Sequence, residues 1–311
     1  MKRKTDNFNK FYNRKRNSAV KEELRQEKKT VKKERQQAVD RHFEAKRNKR
    51  AVLTGTPQVQ AGPENKSTAP KPPGSIPLNK YIAHAGVSSR RSAALMVKEG
   101  KVTVNGNAVT DPGTKVLLTD TVKLNGKKLT VSSHFVYILL NKPKDFLTTT
   151  SDPQGRKTVQ QLIATATDER VYPIGRLDRN TSGVLLFTND GDLSQKLSHP
   201  KNEVKKIYHA GLDKALTKAD FEKIINGIEL EDGLARVDAM AYADPKDKTQ
   251  IGLEIHSGKN RIVRRIFAAL GYDVKTLDRV MYAGLTKKNV PRGKWRFLDE
   301  KEIRILKYLK S

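Results

Sequence analysis

Five prolines, Pro57, Pro63, Pro70, Pro72 and Pro73, divide this 311-residue chain into a part able to fold and a part with little to fold around. Proline fixes φ and removes a backbone donor, so their spacing among Gly, Ser and Thr makes residues 51–75 a linker. Ahead of it, residues 1–50 hold 19 Lys and Arg against 7 Asp and Glu. Their few large apolar side chains, such as Phe8, Phe11, Val31 and Phe43, do not recur at a helical spacing. The stretch from Lys21 to Arg50 has good helix formers and mixed i,i+4 charges but no apolar face. The reading is a disordered basic tail that stays solvated, either throughout or until it meets a polyanion.

The whole chain carries 62 basic against 34 acidic residues, a net charge of +28. The tail does not account for all of it, since 43 basic and 27 acidic residues lie beyond residue 50. Such a balance points to nucleic acid rather than to an anionic membrane. The longest apolar runs, such as Phe135–Leu140, are far too short to cross a bilayer. The start is charged from Lys2 with no apolar stretch behind it, so no secretory signal is expected. Cysteine is absent, which removes disulfide and thiolate chemistry and fits a cytoplasmic protein. The six histidines (42, 84, 134, 199, 209 and 256) show no metal-ligand spacing, so no metal is expected. Ser257-Gly258-Lys259 lacks the upstream Gly and following Ser or Thr of a phosphate loop, and no Gly-x-Ser-x-Gly elbow occurs.

Order is expected from Ile76. Leu78, Ile82 and Ala85 suggest a short helix stopping at Gly86. Ser88-Ser89 offers the cap of a second helix, with Arg90 and Arg91 in its first turn, Ala93, Ala94, Met96 and Val97 inward, and Gly100 at its end. Lys101–Val104 alternates like a strand and runs into the hairpin turn Asn105-Gly106, and a second such turn is Asn125-Gly126. From Phe135 the pattern is strand-rich. Strands are expected at Phe135–Leu140, Val184–Phe187, Lys205–Leu212 and Gln250–His256. Helices are expected at Thr158–Ile163, Asp190–Leu197, Thr217–Ile225 and from about Asn260 to Leu270. The fold class is α+β, with a mixed or antiparallel sheet over 134–311 behind a small module at 76–133.

Residues 172–191 place Asp178 between Arg176 and Arg179 in a turn-rich loop that leads straight into an apolar strand. A loop anchored on a rigid strand can hold a reactive group still. The string Gly-Arg-Leu-Asp-x-x-Thr-Ser-Gly, the apolar strand and Thr-Asn-Asp-Gly together resemble the signature of pseudouridine synthases of the RsuA and RluB type. Two further motifs follow in the family's order. Lys206-Ile207-Tyr208 is similar to its Lys-x-Tyr. Gly258-Lys-Asn-Arg-Ile-Val-Arg-Arg265 is similar to its Gly-x-Asn-Arg-Gln-Val-Arg-Arg, with Ile262 where Gln is common. Gly271-Tyr272 and Leu277-x-Arg279 follow, and Pro291-Arg-Gly-Lys-Trp295 favours the RluB-like branch. Residues 76–133 resemble the alpha-L RNA-binding module first known from ribosomal protein S-four.

The resemblance implies an isomerase that detaches uracil from ribose nitrogen-linked and rejoins it carbon-linked, with no redox or hydrolysis and no cofactor. It implies that Asp178 is nucleophile or base, that Arg264 is its cationic partner, and that Tyr208 stacks on the base. Arg176, Arg179, Lys206, Arg261 and Arg265 are expected to contact substrate, with Lys80, Arg90 and Arg91 on phosphates. The expected partner is structured ribosomal RNA whose target uridine is flipped from its stack, bound by a monomer. A non-catalytic ribosome-assembly or RNA-chaperone protein of the same fold is the alternative.

Overall fold

The computed structural model describes residues 74–131 and 134–309. The expected tail and residues 51–73 of the expected linker lie outside the described residues.

The first folded part opens with β1 (Ile76–Pro77) and α1 (Leu78–His84), followed by α2 (Arg90–Lys98). Ser89 caps α2 by accepting from the Ser92 N–H. Strands β2 (Val102–Val104), β3 (Asn107–Ala108), β4 (Lys115–Val116), β5 (Val122–Leu124) and β6 (Lys127–Lys128) follow. β1 pairs β4, and the others form a four-stranded sheet in the order β3-β2-β5-β6. Both Asn-Gly turns have positive φ at each residue, 50° and 90° at Asn105-Gly106 and 47° and 80° at Asn125-Gly126. That is the hairpin geometry the strand twist demands. Leu78, Ile82, Ala93, Val97, Val102 and Val122 make a small core of their own. Ala94 and Met96 are half-buried rather than central.

The second part is built on β7 (Tyr137–Lys142), β8 (Tyr172–Ile174), β9 (Ser182–Thr188), β10 (Lys206–Leu212), β11 (Ala239–Tyr242), β12 (Gln250–Ile255), β13 (Val274–Tyr282), β14 (Leu285–Thr286) and β15 (Trp295–Phe297). These make a nine-stranded sheet among the described residues, in the order β11-β12-β10-β13-β9-β7-β15, with β14 on β13 and β8 on β9. Its pairings are antiparallel except where β9 meets β13. β7 and β9 are buried along their whole length because both faces are covered. Ile138, Leu140, Leu185 and Phe187 enter one core and Leu139, Val184 and Leu186 the other. Helix α4 (Gly191–Ser198) covers the second face with Leu193 and Leu197, and α7 (Glu300–Lys307) with Leu306. Helices α5 (Lys218–Asn226) and α6 (Ile262–Ala268) cover the first, and the short α3 (Val159–Leu162) sits beside it. Asp190 and Thr217 cap α4 and α5 as their sequences suggest.

The parallel contact is short, Asp278↔Ser182 and Arg279↔Gly183. A Cβ on Gly183 would lie 2.1 Å from the Arg279 carbonyl oxygen, and its φ of +113° further restricts the position to glycine. This close approach brings the β8–β9 loop, which carries Asp178, beside the ends of β10 and β13.

Candidate active site

Asp178 sits in the loop joining β8 to β9, and several outside groups hold that loop. Thr148 Oγ1 donates to the Leu177 carbonyl at 2.7 Å and accepts from the Leu177 N–H at 3.2 Å. The Asp145 N–H donates to the Arg179 carbonyl. Lys142, fully buried at the end of β7, donates through Nζ to the carbonyls of Pro143, Asp178, Arg179 and Thr181 within 3.3 Å. Burial lowers the Lys142 ammonium to about 8, countered by Asp145 and Asp178. Neither Lys142 nor Thr148 was singled out by the sequence reading. The only signal for Lys142 was a lysine closing an apolar strand immediately before Pro143.

Beside the loop lies a cleft of about 330 Å³ whose walls include Asp178, Lys206, Tyr208, Arg261, Leu277 and Arg279. Asp178 is partly open to it, while Tyr208 is 9% exposed on its floor. The cation nearest the carboxylate is Arg261, with Nη1 3.5 Å from Oδ2. The family motif leads one to expect Arg264 in that place, and the geometry differs. Arg264 donates instead to the carbonyls of Val274 and Asn180, the latter at 3.4 Å, so it is a further brace on the loop. Burial, then Arg261, pushes the Arg264 guanidinium below its ordinary value, while Asp178 and Asp273 oppose the shift. Helix α6 starts at Ile262, two residues later than expected, because Arg261 is its cap in left-handed backbone with φ 47°. That conformation costs a non-glycine residue about 1–2 kcal/mol and aims the Arg261 side chain at the cleft. Ile262, where Gln is common in the resembling motif, is 6% exposed and sits in the core.

The remaining expected residues divide. Lys206 lines the cleft, donates to the His256 and Ser257 carbonyls, and is lowered to about 8 by burial and then by Arg279. Arg176 also lines the cleft. Arg179 points to Asp145 at 3.5 Å and is not among the cleft walls. Arg265 makes a two-pronged pair with Asp232, so its fork is already occupied. Lys80 pairs with Asp192 of α4 at 2.6 Å, which ties α1 to the second part and leaves it badly placed for a phosphate. Arg90 and Arg91 stand exposed in the first turn of α2.

A basic cleft with one carboxylate and one tyrosine in its wall, in a chain that also carries a small basic α+β module, suits an enzyme acting on nucleic acid. Residues 136–269 match the family described as RNA pseudouridylate synthase, and residues 76–122 match the S4 domain. The chain is 43% identical over 235 residues to the ribosomal large subunit pseudouridine synthase B of Bacillus subtilis, covering 75% of this chain and 96% of that protein. It is 34% identical over 238 residues to the protein of the same name from Vibrio cholerae, covering 75% of this chain and 74% of the other. A solved structure described as a pseudouridylate synthase superposes with a TM-score of 0.54 at 26% identity, covering 75% of this chain and all of the other. The chain belongs to the RNA pseudouridylate synthase family and is an isomerase that converts uridine in RNA to pseudouridine.

Proposed function

We propose that this enzyme isomerises a uridine of ribosomal RNA, most naturally of the large subunit, and that Asp178 performs the chemistry. The observation that carries this reading is the Asp178 carboxylate, held in the cleft wall by a loop whose backbone is hydrogen-bonded to Lys142, Thr148 and Arg264. Either role open to it, attack at the sugar or abstraction of a ribose proton, requires an ionised and oriented carboxylate. Arg261 supplies the facing cation, and Arg264 takes a positioning role through Asn180. Tyr208 stacks on the uracil. The target uridine flips out of its stack to enter, at a cost of a few kcal/mol, offset by phosphate contacts elsewhere. Arg176 and the Arg90 and Arg91 pair supply such contacts, and the 76–133 module binds RNA separately from the catalytic 134–311 portion. The enzyme acts as a monomer in the cytoplasm. The names of the B-type relatives support the ribosomal large-subunit substrate.

Mapping pseudouridine by carbodiimide stops in total RNA from cells with and without the protein tests the substrate. One or two large-subunit sites should vanish with the protein. Loss confined to other RNAs would overturn the ribosomal assignment. A second expectation concerns the first 50 residues, whose net charge is +12. Their deletion should flatten the dependence of RNA affinity on salt, because fewer counterions are released on binding. An unchanged slope in a salt titration would mean that this segment does not touch the RNA.

A further inference from the structure

Arg279 is a charged side chain that the reading above does not use. It is 3% exposed, and its Nε–H donates to the Val184 carbonyl at 2.8 Å. A guanidinium has five N–H donors. The N–H groups on the two terminal nitrogens of Arg279 have no acceptor among the described residues, and Nη2 is wholly buried. No carboxylate among the described residues pairs with it. The nearest in sequence, Asp278, is held by Lys287, Arg292 and Ser182. The guanidinium lies over the Tyr282 ring, 4.5 Å from its centroid, which fixes its plane. It stands opposite Tyr208 across the β10–β13 ladder and forms part of the cleft wall with Tyr208, Lys206 and Leu277.

A buried guanidinium without an anion is costly, and a structural arginine would be paired. This one is rigid, aligned and left with donors beside the cleft floor. A phosphate is the less suitable occupant, because Arg279 stands beside Leu277 and Tyr208, at 4% and 9% exposure, where a phosphate would lose its hydration. Exposed Arg176 and Arg261 at the rim are where a phosphate can stay hydrated. A flat base with carbonyl oxygens suits the floor.

We propose that Arg279 is a further catalytic residue, donating to a carbonyl oxygen of the target uracil and stabilising the negative charge on that base while it is detached from the sugar. The proposal rests on the reading that the uridine enters the Asp178 cleft. When the bond from ribose C1′ to N1 breaks, both electrons leave with the base. The detached uracil is then an anion, its charge spread over N1, O2 and O4, whichever way Asp178 acts. Bond formation from C5 to C1′ returns the electron pair to the sugar and frees Asp178, either by breaking its ester bond to C1′ or by returning the abstracted proton to the ribose. The C5 proton is lost and N1 gains one, so composition is unchanged. A fixed cation facing O2 or O4 interacts more strongly with the detached anion than with bound uridine, which is the condition for accelerating the step.

The test is single-turnover pseudouridine formation by full-length Arg279→Ala on a large-subunit ribosomal RNA transcript, with RNA affinity measured in parallel. The rate constant should fall about 10²–10³-fold, the cost of removing one preorganised donor at a developing charge. Affinity should stay within about threefold, since phosphate contacts dominate it. Guanidinium ion at tens of millimolar should recover part of the rate, and urea, of the same shape but neutral, should not. A wild-type rate, equal recovery by urea, or a loss confined to affinity would each overturn the proposal. If Arg279→Ala does not fold, Arg279→Gln replaces it, neutral but similar in bulk. A wild-type rate in that variant overturns the proposal, and a loss of about a hundredfold with affinity kept supports it. Asp178→Asn run alongside separates the two levels. Turnover surviving in Asp178→Asn sinks the cleft assignment, whereas turnover lost there but intact in the Arg279 variants sinks the Arg279 role alone.

Discussion

Asp178→Asn should lose about 10²–10⁴-fold in turnover, the range that a positioned acid–base group supplies, while RNA affinity stays near wild type. The substitution preserves shape and leaves an oxygen to accept from Arg261, so the cleft keeps its form. It removes the charge that either chemical role requires. Stability should hardly change, because the Asp178–Arg261 pair is a 3.5 Å contact between partly exposed groups, and such pairs contribute about 0–1 kcal/mol. Affinity is preserved because RNA binding is carried mainly by phosphate contacts, and Asp178 makes none. The measurement is single-turnover pseudouridine formation beside filter binding of the same transcript. Product at the wild-type rate would remove Asp178 from the chemistry. Weakened binding with unchanged turnover would make it an RNA contact instead.

Lys142→Met should be the most damaging single change to the fold among those considered, and it should also lower activity. The ammonium serves four carbonyl oxygens, three of them in the loop that carries Asp178. Hydrogen bonds from a charged donor contribute roughly 1.5–3 kcal/mol each, and methionine leaves those oxygens without their donor. Removing the buried charge itself returns part of that loss. The net should be about 3 kcal/mol of stability, read as a lower urea midpoint with an unchanged m-value. Turnover of the folded variant should fall by about 10²-fold, because a loosened loop no longer holds the carboxylate within an ångström of its working place. A midpoint and a rate both matching wild type would show that the Thr148 and Arg264 braces suffice without Lys142.

Much of the local structure follows from nearest neighbours. The Asn-Gly turns, the Ser89, Asp190 and Thr217 caps and the strand after Asp178 depend on residues within a few positions of one another, so the chain spells them out. The ends of α6 were less legible. Its start depends on Arg261 adopting left-handed backbone, which the neighbouring residue types do not require.

The same limit explains the exchange of Arg264 for Arg261. The two are three residues apart, a spacing that would put both on one side of a continuous helix, so spacing alone does not say which reaches a distant carboxylate. The start of α6 and the lie of the β8–β9 loop decide it. Lys80 and Arg265 are expected from the sequence to contact RNA, and only the approach of Asp192 and Asp232 turns them into ion pairs.

Motif order in the chain was enough to establish an α+β enzyme of this family and the basic module ahead of its catalytic part. Those features rest on residue type and spacing, which are properties of the chain itself. The bracing of the Asp178 loop by Lys142, the identity of its facing cation, and the lone Arg279 guanidinium in the cleft wall arose only on folding. Each joins residues distant in sequence or turns on which neighbouring charges are already satisfied. Burial and pairing of that kind are set when β7, β9, β10 and β13 come side by side.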